Sequence, residues 1–322
     1  NNNEYKNELH CVDINNNYSF NVSETFNHNR TLFNHENSAF HSYALKKHNN
    51  NNYLFCIDGS GENNSICCEI NSGNTKLLPK LTKVRALYNT IHSDKHGLLL
   101  LGGFGLSNNI NVKKQTMNEV IQLKSINDKT WNKLPNMNHK RCIHSSVIVN
   151  DDKLFVFGGK NDKFLNTCEY FDFNNNKWNN IKSMNNSHGG CGTFYDNNNK
   201  NVYIIGGAND DDTKNNIENS FFKYDIHKND WYPLPSTNYK HICYPHLTSY
   251  KHKFNMYNDN NILIVFGGEN CFESFNKGKH YIEWIDIRES TNKWNVYKHT
   301  IKNIVNIGDN KSQNVFLRSI LS

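Results

Sequence analysis

Short apolar runs of four to eight residues, parted by clusters of Asn, Asp, Gly and Lys, set the rhythm of this chain. Residues 137–184 show it most clearly. Residues 142–149 form one run, and a polar turn at 150–153 leads to residues 154–157, which end in Gly158-Gly159. After a polar loop comes 167–173, with Tyr170, Phe171 and Phe173, and the turn 174–177 leads into 178–181. Runs of this length, rich in β-branched and aromatic residues and bounded by turn formers, predict a four-stranded antiparallel sheet. The same layout recurs along the chain, which marks a repeat protein.

The recurrence is anchored by glycine pairs that close an apolar run: Gly102-Gly103, Gly158-Gly159, Gly206-Gly207 and Gly267-Gly268. A tryptophan follows each pair, at Trp131, Trp178, Trp231 and Trp294. A degraded copy carries Gly59 and Gly61, and its register puts Thr75 where Trp is expected. Gly allows close backbone approach, and Trp supplies a large apolar body between neighbouring sheets. These residues are therefore expected to be structural.

The pattern of an apolar strand ending in Gly-Gly, then an aromatic such as Tyr170 or Tyr224, then Trp resembles the kelch repeat, over nearly the whole chain. The resemblance implies an all-β, kelch-type β-propeller forming one domain over residues 4–322, with 1–3 as an Asn-rich leader. Five blades are expected at about 30–81, 82–137, 138–184, 185–237 and 238–300. A sixth four-stranded blade is expected from 301–322 completed by residues 4–25, with Phe20 at the Trp position, and five or seven blades are the alternatives. Pairing of the two ends would leave no sheet edge open.

Composition changes this picture little. The chain has 322 residues, is 36% hydrophobic and 12% aromatic, and carries a formal charge of +6. Lysines are interspersed with acidic residues in no dense stripe, which argues against non-specific nucleic-acid binding. About a fifth of the residues are Asn; Asn suits turns and tolerates positive φ, so its runs read as turn filler. The 9 cysteines lack any CxxC pair, and Cys142, Cys168 and Cys191 sit in apolar strands, which favours a reducing, cytosolic or nuclear location over secretion. No run is long and apolar enough to span a membrane. The chain does not begin with Met and reads as a fragment of a longer protein.

Enzyme signatures are absent from the pattern: no HExxH, no phosphate-binding Gly loop ending in Lys-Ser/Thr, no GxSxG. Gly103-Phe104-Gly105 lacks the third glycine of a dinucleotide fingerprint, and residues 209–212 lack the spacing of a calcium loop. The chain is therefore expected to be non-catalytic and to carry no metal or cofactor. Some kelch propellers are copper oxidases, and that alternative stays open.

The sharper signal lies ten residues past each Trp position. Arg30, Arg85 and Arg141 fall there, followed by His188 and His241, although the chain has only five arginines. This lead-in position precedes the innermost strand of each blade. Strand two returns to the edge where strand one began, so the lead-in position shares a face with the loops after Gly-Gly, which vary in length and content. Such loops on a rigid scaffold carry recognition. In kelch substrate adaptors, the resemblance implies, arginines at this position line the ligand face. Arg30, Arg85, Arg141, His188 and His241 are thus expected either to form a cationic mouth for an acidic or phosphorylated segment or to brace adjacent loops. The functions implied are a protein-interaction module such as the recognition end of a ubiquitin-ligase adaptor, an actin-binding cytoskeletal protein, or a domain of an enzyme.

Overall fold

A computed structural model describes residues 8–14, 20–27, 42–48, 51–57, 65–69, 74–105, 115–210, 219–242, 245–250, 262–267, 282–288 and 293–296. Five four-stranded antiparallel sheets follow one another along the chain. The first blade holds β3 (Ser42–His48), β4 (Asn51–Ile57), β5 (Ile66–Glu69) and β6 (Thr75–Leu77). After β7 (Arg85–Ala86), the second holds β8 (Asn89–Ser93), β9 (Gly97–Leu101), β11 (Val120–Leu123) and β12 (Asn132–Leu134), with β10 (Phe104–Gly105) folded back onto β7. The third runs through β13 (Ser145–Val149), β14 (Lys153–Phe157), β15 (Cys168–Asp172) and β16 (Lys177–Ile181). The fourth comprises β17 (Gly192–Asp196), β18 (Asn201–Ile205), β19 (Phe221–Asp225) and β20 (Asp230–Leu234). The fifth comprises β21 (His246–Tyr250), β22 (Ile262–Phe266), β23 (Ile282–Asp286) and β24 (Asn295–Val296). Innermost strands of consecutive blades lie side by side. This is a β-propeller.

The blade count corrects the expectation of six. The described residues carry five four-stranded blades, and β1 (Glu8–Ile14) and β2 (Phe20–Asn27) form a separate two-stranded hairpin, from Glu8 opposite Asn27 to Ile14 opposite Phe20. Residues 301–322, needed to turn that hairpin into a blade, lie outside the described residues, as do Gly59 and Gly61.

The second strand of each blade explains why its sequence is apolar without alternation. Strand side chains point to opposite faces in turn, and in blades two to four both faces are covered by a neighbouring blade. Leu98 and Leu100 join Phe55, Ile57 and Cys67 between blades one and two, while Leu99 and Leu101 join Leu154, Val156 and Phe171 between two and three. Phe155 and Phe157 then meet Val202 and Ile204, and Tyr203 and Ile205 meet Leu263 and Val265. Each fully buried side chain of this kind contributes about 1.5–3 kcal/mol. The core is thus a series of layers between blades.

Asn sits where the hairpins turn. Asn150, Asn176 and Asn229 adopt positive φ, and carboxylates just before the turns accept from the main chain. Asp172 accepts from the amides of Asn174 and Asn175, and Asp196 from those of Asn198 and Asn199.

Candidate functional site: a braced propeller mouth

The lead-in residues and the post-glycine loops meet on one face. Cys142 and Lys160 exchange main-chain hydrogen bonds at 2.9 and 2.8 Å, and Gly189 and Ala208 do the same at 2.9 and 2.8 Å. In the second blade β10 pairs with β7, placing Phe104 opposite Ala86 and Gly105 opposite Arg85. In blades two to four, ladders of this kind fasten the start of the loop to its own blade's lead-in segment.

Beneath them lies a repeated brace. Arg141, at 0% exposure, donates through Nη1 to the Gly158 carbonyl and to the Thr167 carbonyl at 3.0 Å, and through Nη2 to Glu169 Oε1 at 2.8 Å. Glu169, also fully buried, accepts from the amides of Asn138 (2.8 Å) and His139 (3.3 Å). The fifth blade repeats the arrangement with different chemistry. His241 places Nδ1 2.7 Å from the Gly267 carbonyl and Nε2 3.3 Å from Glu283 Oε1, and Glu283 accepts from the amides of Asn238 and Tyr239 at 2.8 and 2.9 Å. Both ring nitrogens of His241 thus face acceptors. Burial pushes the Glu283 carboxyl up, but hydrogen bonds from His241, Asn238 and Tyr239 override it and hold it below its ordinary value.

The second blade keeps the cation and moves the anion. Arg85 donates to the Gly102 carbonyl at 3.3 Å and pairs with Glu119, which lies two strand positions earlier than Glu169 and Glu283 in the ladder. Burial raises the Glu119 carboxyl, yet Arg85 and Lys83 bring it below its usual range. The fourth blade drops the charge altogether. Phe222 occupies the ladder position of Glu169, and the His188 ring lies edge-on to it at 5.6 Å between centroids while Nδ1 reaches the Gly206 carbonyl at 3.3 Å. Burial there pulls the His188 imidazole down to about 4, so the ring is neutral at ordinary pH.

The glycine pair meets the brace main chain. The Gly103 amide donates to the Arg141 carbonyl at 2.9 Å, that of Gly159 to His188 at 2.7 Å, and that of Gly207 to His241 at 2.8 Å. At Gly158, φ is +56° and a Cβ would lie 2.2 Å from the His188 carbonyl oxygen; at Gly159, φ is +98° and a Cβ would lie 2.7 Å from the Cys142 oxygen. No other residue fits there. Arg141, His188 and His241 therefore stitch two blades each: the side chain holds their own blade, the carbonyl the preceding one.

The tryptophans form a second seam. The indole NH groups of Trp131, Trp178 and Trp294 donate to the carbonyls of Pro79, Pro135 and Pro235 in the preceding blade, and that of Trp231 to Lys182, each at 2.8 Å. Thr75 stands opposite Cys68 as Trp178 stands opposite Phe171, so it does hold the Trp position of the first blade, as an exposed residue.

The cationic crescent expected at the mouth needs correction. Arg85, Arg141, His188 and His241 each have 0% exposure and point into their blades, so they present no charge to a ligand; Arg30 and Gly268 lie outside the described residues. Glu119, Glu169 and Glu283 escaped the sequence reading, although a carboxylate inside the apolar runs Cys168–Asp172 and Ile282–Asp286 was a usable signal. Among the described residues, no three His, Cys, Asp or Glu side chains converge into a metal-binding group, and no helix is long and apolar enough to cross a membrane.

Sheet order, glycine pairs, tryptophan seam and lead-in braces together define a kelch-type β-propeller. Within that class, the chain belongs to the Attractin/LZTR1 beta-propeller family, whose model matches residues 93–302. It is 31% identical over 129 residues to alpha-scruin of Limulus polyphemus and 29% identical over 149 residues to beta-scruin of the same animal. Those matches take in 38% and 44% of this chain but only 14% and 16% of the relatives, so the chain spans less than a fifth of either. The solved structure of YjhT shares the fold, with a TM-score of 0.56 at 15% identity, covering 80% of this chain and 83% of that one.

Proposed function

We propose that this propeller is a non-catalytic protein-interaction module that recognises its partner with the loops on the mouth face. The observation that carries this reading is the contrast between frame and loops. Braces and glycine pairs hold the lead-in segments rigidly, while the loops fastened to them differ from blade to blade in length and sequence. Such a division suits a recognition surface. The acidic or phosphorylated ligand expected from Arg85, Arg141, His188 and His241 draws no support from those buried side chains; any preference for acidic partners must come from exposed lysines instead. A place in a ubiquitin-ligase adaptor and a place in an actin-binding protein are two architectures into which the module fits. A reducing compartment is part of the reading, supported by Cys67, Cys142, Cys168 and Cys191, which are buried outside any disulfide.

The test is quantitative affinity capture from native lysate with the intact chain and with residues 161–164 replaced by a Gly-Ser linker, after thermal melts confirm both fold. Captured partners are then produced pure and their affinities measured. The reading expects at least one partner whose affinity drops about tenfold, near 1.4 kcal/mol, in the loop variant. Partners indifferent to this loop and to equivalent replacements in the other mouth loops would overturn it. Co-sedimentation with filamentous actin that survives all loop replacements would put the binding surface on the blade sides.

A further inference from the structure

Of the seven described non-glycine residues with positive φ, five are Asn, Asp or Lys in hairpin turns; the exceptions are Leu87 (φ 55°) and Ile143 (φ 44°). Both lie two residues past the brace, Leu87 after Arg85 and Ile143 after Arg141. The same place in the fourth blade is Gly190, with φ 68°. The three form a chain across the mouth: the Ile143 amide donates to the Leu87 carbonyl at 2.8 Å, and the Gly190 amide to the Ile143 carbonyl at 2.6 Å. The backbone conformation is thus a requirement of the ring, and Gly190 shows that glycine meets it. An aliphatic side chain there is strained, a β-branched one most of all, and strain of this kind concentrates where function retains it.

What the strain positions is an apolar surface. Leu87 and Ile143 remain partly exposed. The Ile143 Cδ1 and the Phe164 ring both lie over the Gly189 α-carbon, where a Cβ would meet them at 2.9 and 2.6 Å. Phe164 is fixed from the other side by Asp210, whose Oδ2 accepts from its amide at 3.1 Å, and by Lys160, whose ammonium stands 4.4 Å over its ring. The charges around this surface lean positive. Lys140 and Lys163 are exposed. Of the described carboxylates, Glu169 is buried against Arg141, Glu119 is held by Arg85 and Lys83, and Asp210 by Lys160, leaving Asp162 as the exposed counterweight among them.

We propose that Leu87, Ile143 and Phe164 form an apolar anchor site at the propeller mouth for a protein segment carrying an aliphatic or aromatic residue flanked by carboxylates. The apolar residue settles against Ile143 and Phe164, and the flanking carboxylates meet Lys140 and Lys163. The inference rests on the mouth-face reading above and names the chemistry of its partner.

Glycine substitution separates binding from folding here, because it removes the side chain and relieves the strain together. The probe is a displayed library of random linear peptides selected on the purified chain, with the consensus peptide then measured against Leu87→Gly/Ile143→Gly and Lys140→Glu/Lys163→Glu. The proposal expects an enriched apolar residue between Asp or Glu, an affinity about tenfold weaker in each variant, and a melting temperature unchanged or raised in the glycine variant. Leu87→Asn/Ile143→Asn, which tolerates the same φ, should bind as weakly. A consensus without carboxylates, unchanged binding by the glycine variant, or a lowered melting temperature overturns the proposal. Peptides or partners that depend on the 161–164 loop yet ignore Leu87 and Ile143 sink it while leaving the mouth-face reading intact; indifference to both sinks both.

Discussion

Arg141 and Glu169 have no water to fall back on, with both side chains at 0% exposure. Removing one partner strands the other as a buried charge, which costs about 3–5 kcal/mol. Arg141→Met or Glu169→Gln alone should therefore lower the urea midpoint sharply. The fourth blade supplies a neutral solution to the same geometry, His188 with Phe222. Transplanting it as a pair, Arg141→His with Glu169→Phe, should recover much of the loss. A double-mutant cycle with coupling near zero would show that the two residues do not act as a unit.

His188 also sets a pH window. Its pKa is depressed from 6.5 to about 4 by burial, so between these values the unfolded chain binds a proton that the folded one excludes. The stability this neutral ring contributes is full above pH 6.5 and is lost as pH falls towards 4, by roughly 3 kcal/mol over the shift. His144, pulled down to about 3 by burial and by the neighbouring Arg141 charge, extends the loss to lower pH. His188→Gln should flatten the urea midpoint between pH 6.5 and 4 relative to the parent chain; an unchanged slope would mean that the ring takes up its proton without penalty.

At the scale of the element, much was legible. The runs of Leu98–Leu101, Phe155–Phe157 and Tyr203–Ile205 announced strands, and the glycine pairs marked their ends; that both faces are buried came from the structure. Thr75 was placed correctly because strand register survives the loss of the residue that usually marks it. The tryptophan positions were legible as well, but their acceptor was not. A main-chain carbonyl such as that of Pro135 has no letter of its own in a sequence. Trp178→Phe keeps most of the buried apolar body and leaves that carbonyl without its donor. It should cost about 1–2 kcal/mol by chemical denaturation, and a loss below a few tenths would show that packing alone holds the seam.

For the whole molecule, the sequence pointed to one face and left two roles open for what stands on it, a cationic mouth or a brace, and burial favours the brace. Counting ten residues from each Trp position, Thr75 included, found Arg85, Arg141, His188 and His241, because their backbone position is periodic. Their direction is not a property of spacing. A guanidinium turns inward only if a carboxylate waits there, and the partners come from two different ladder positions: Glu169 and Glu283 from one, Glu119 from another. The sixth blade was a different kind of overreach, resting on two ends whose pairing no motif specified.

The tryptophan seam has one further consequence. These four indoles reach back to the blade before, and the Gly103, Gly159 and Gly207 amides reach forward to the blade after, so the junctions from blade two to blade five are hooked from both sides. A blade lifted out as a bare sheet would leave an indole with no carbonyl on one side and a glycine amide with no brace on the other. The self-contained unit is therefore longer than the visible one. It runs from Pro79, whose carbonyl receives the Trp131 indole, to Arg141, whose carbonyl receives the Gly103 amide, and a cut between those points leaves one of the two donors without its acceptor.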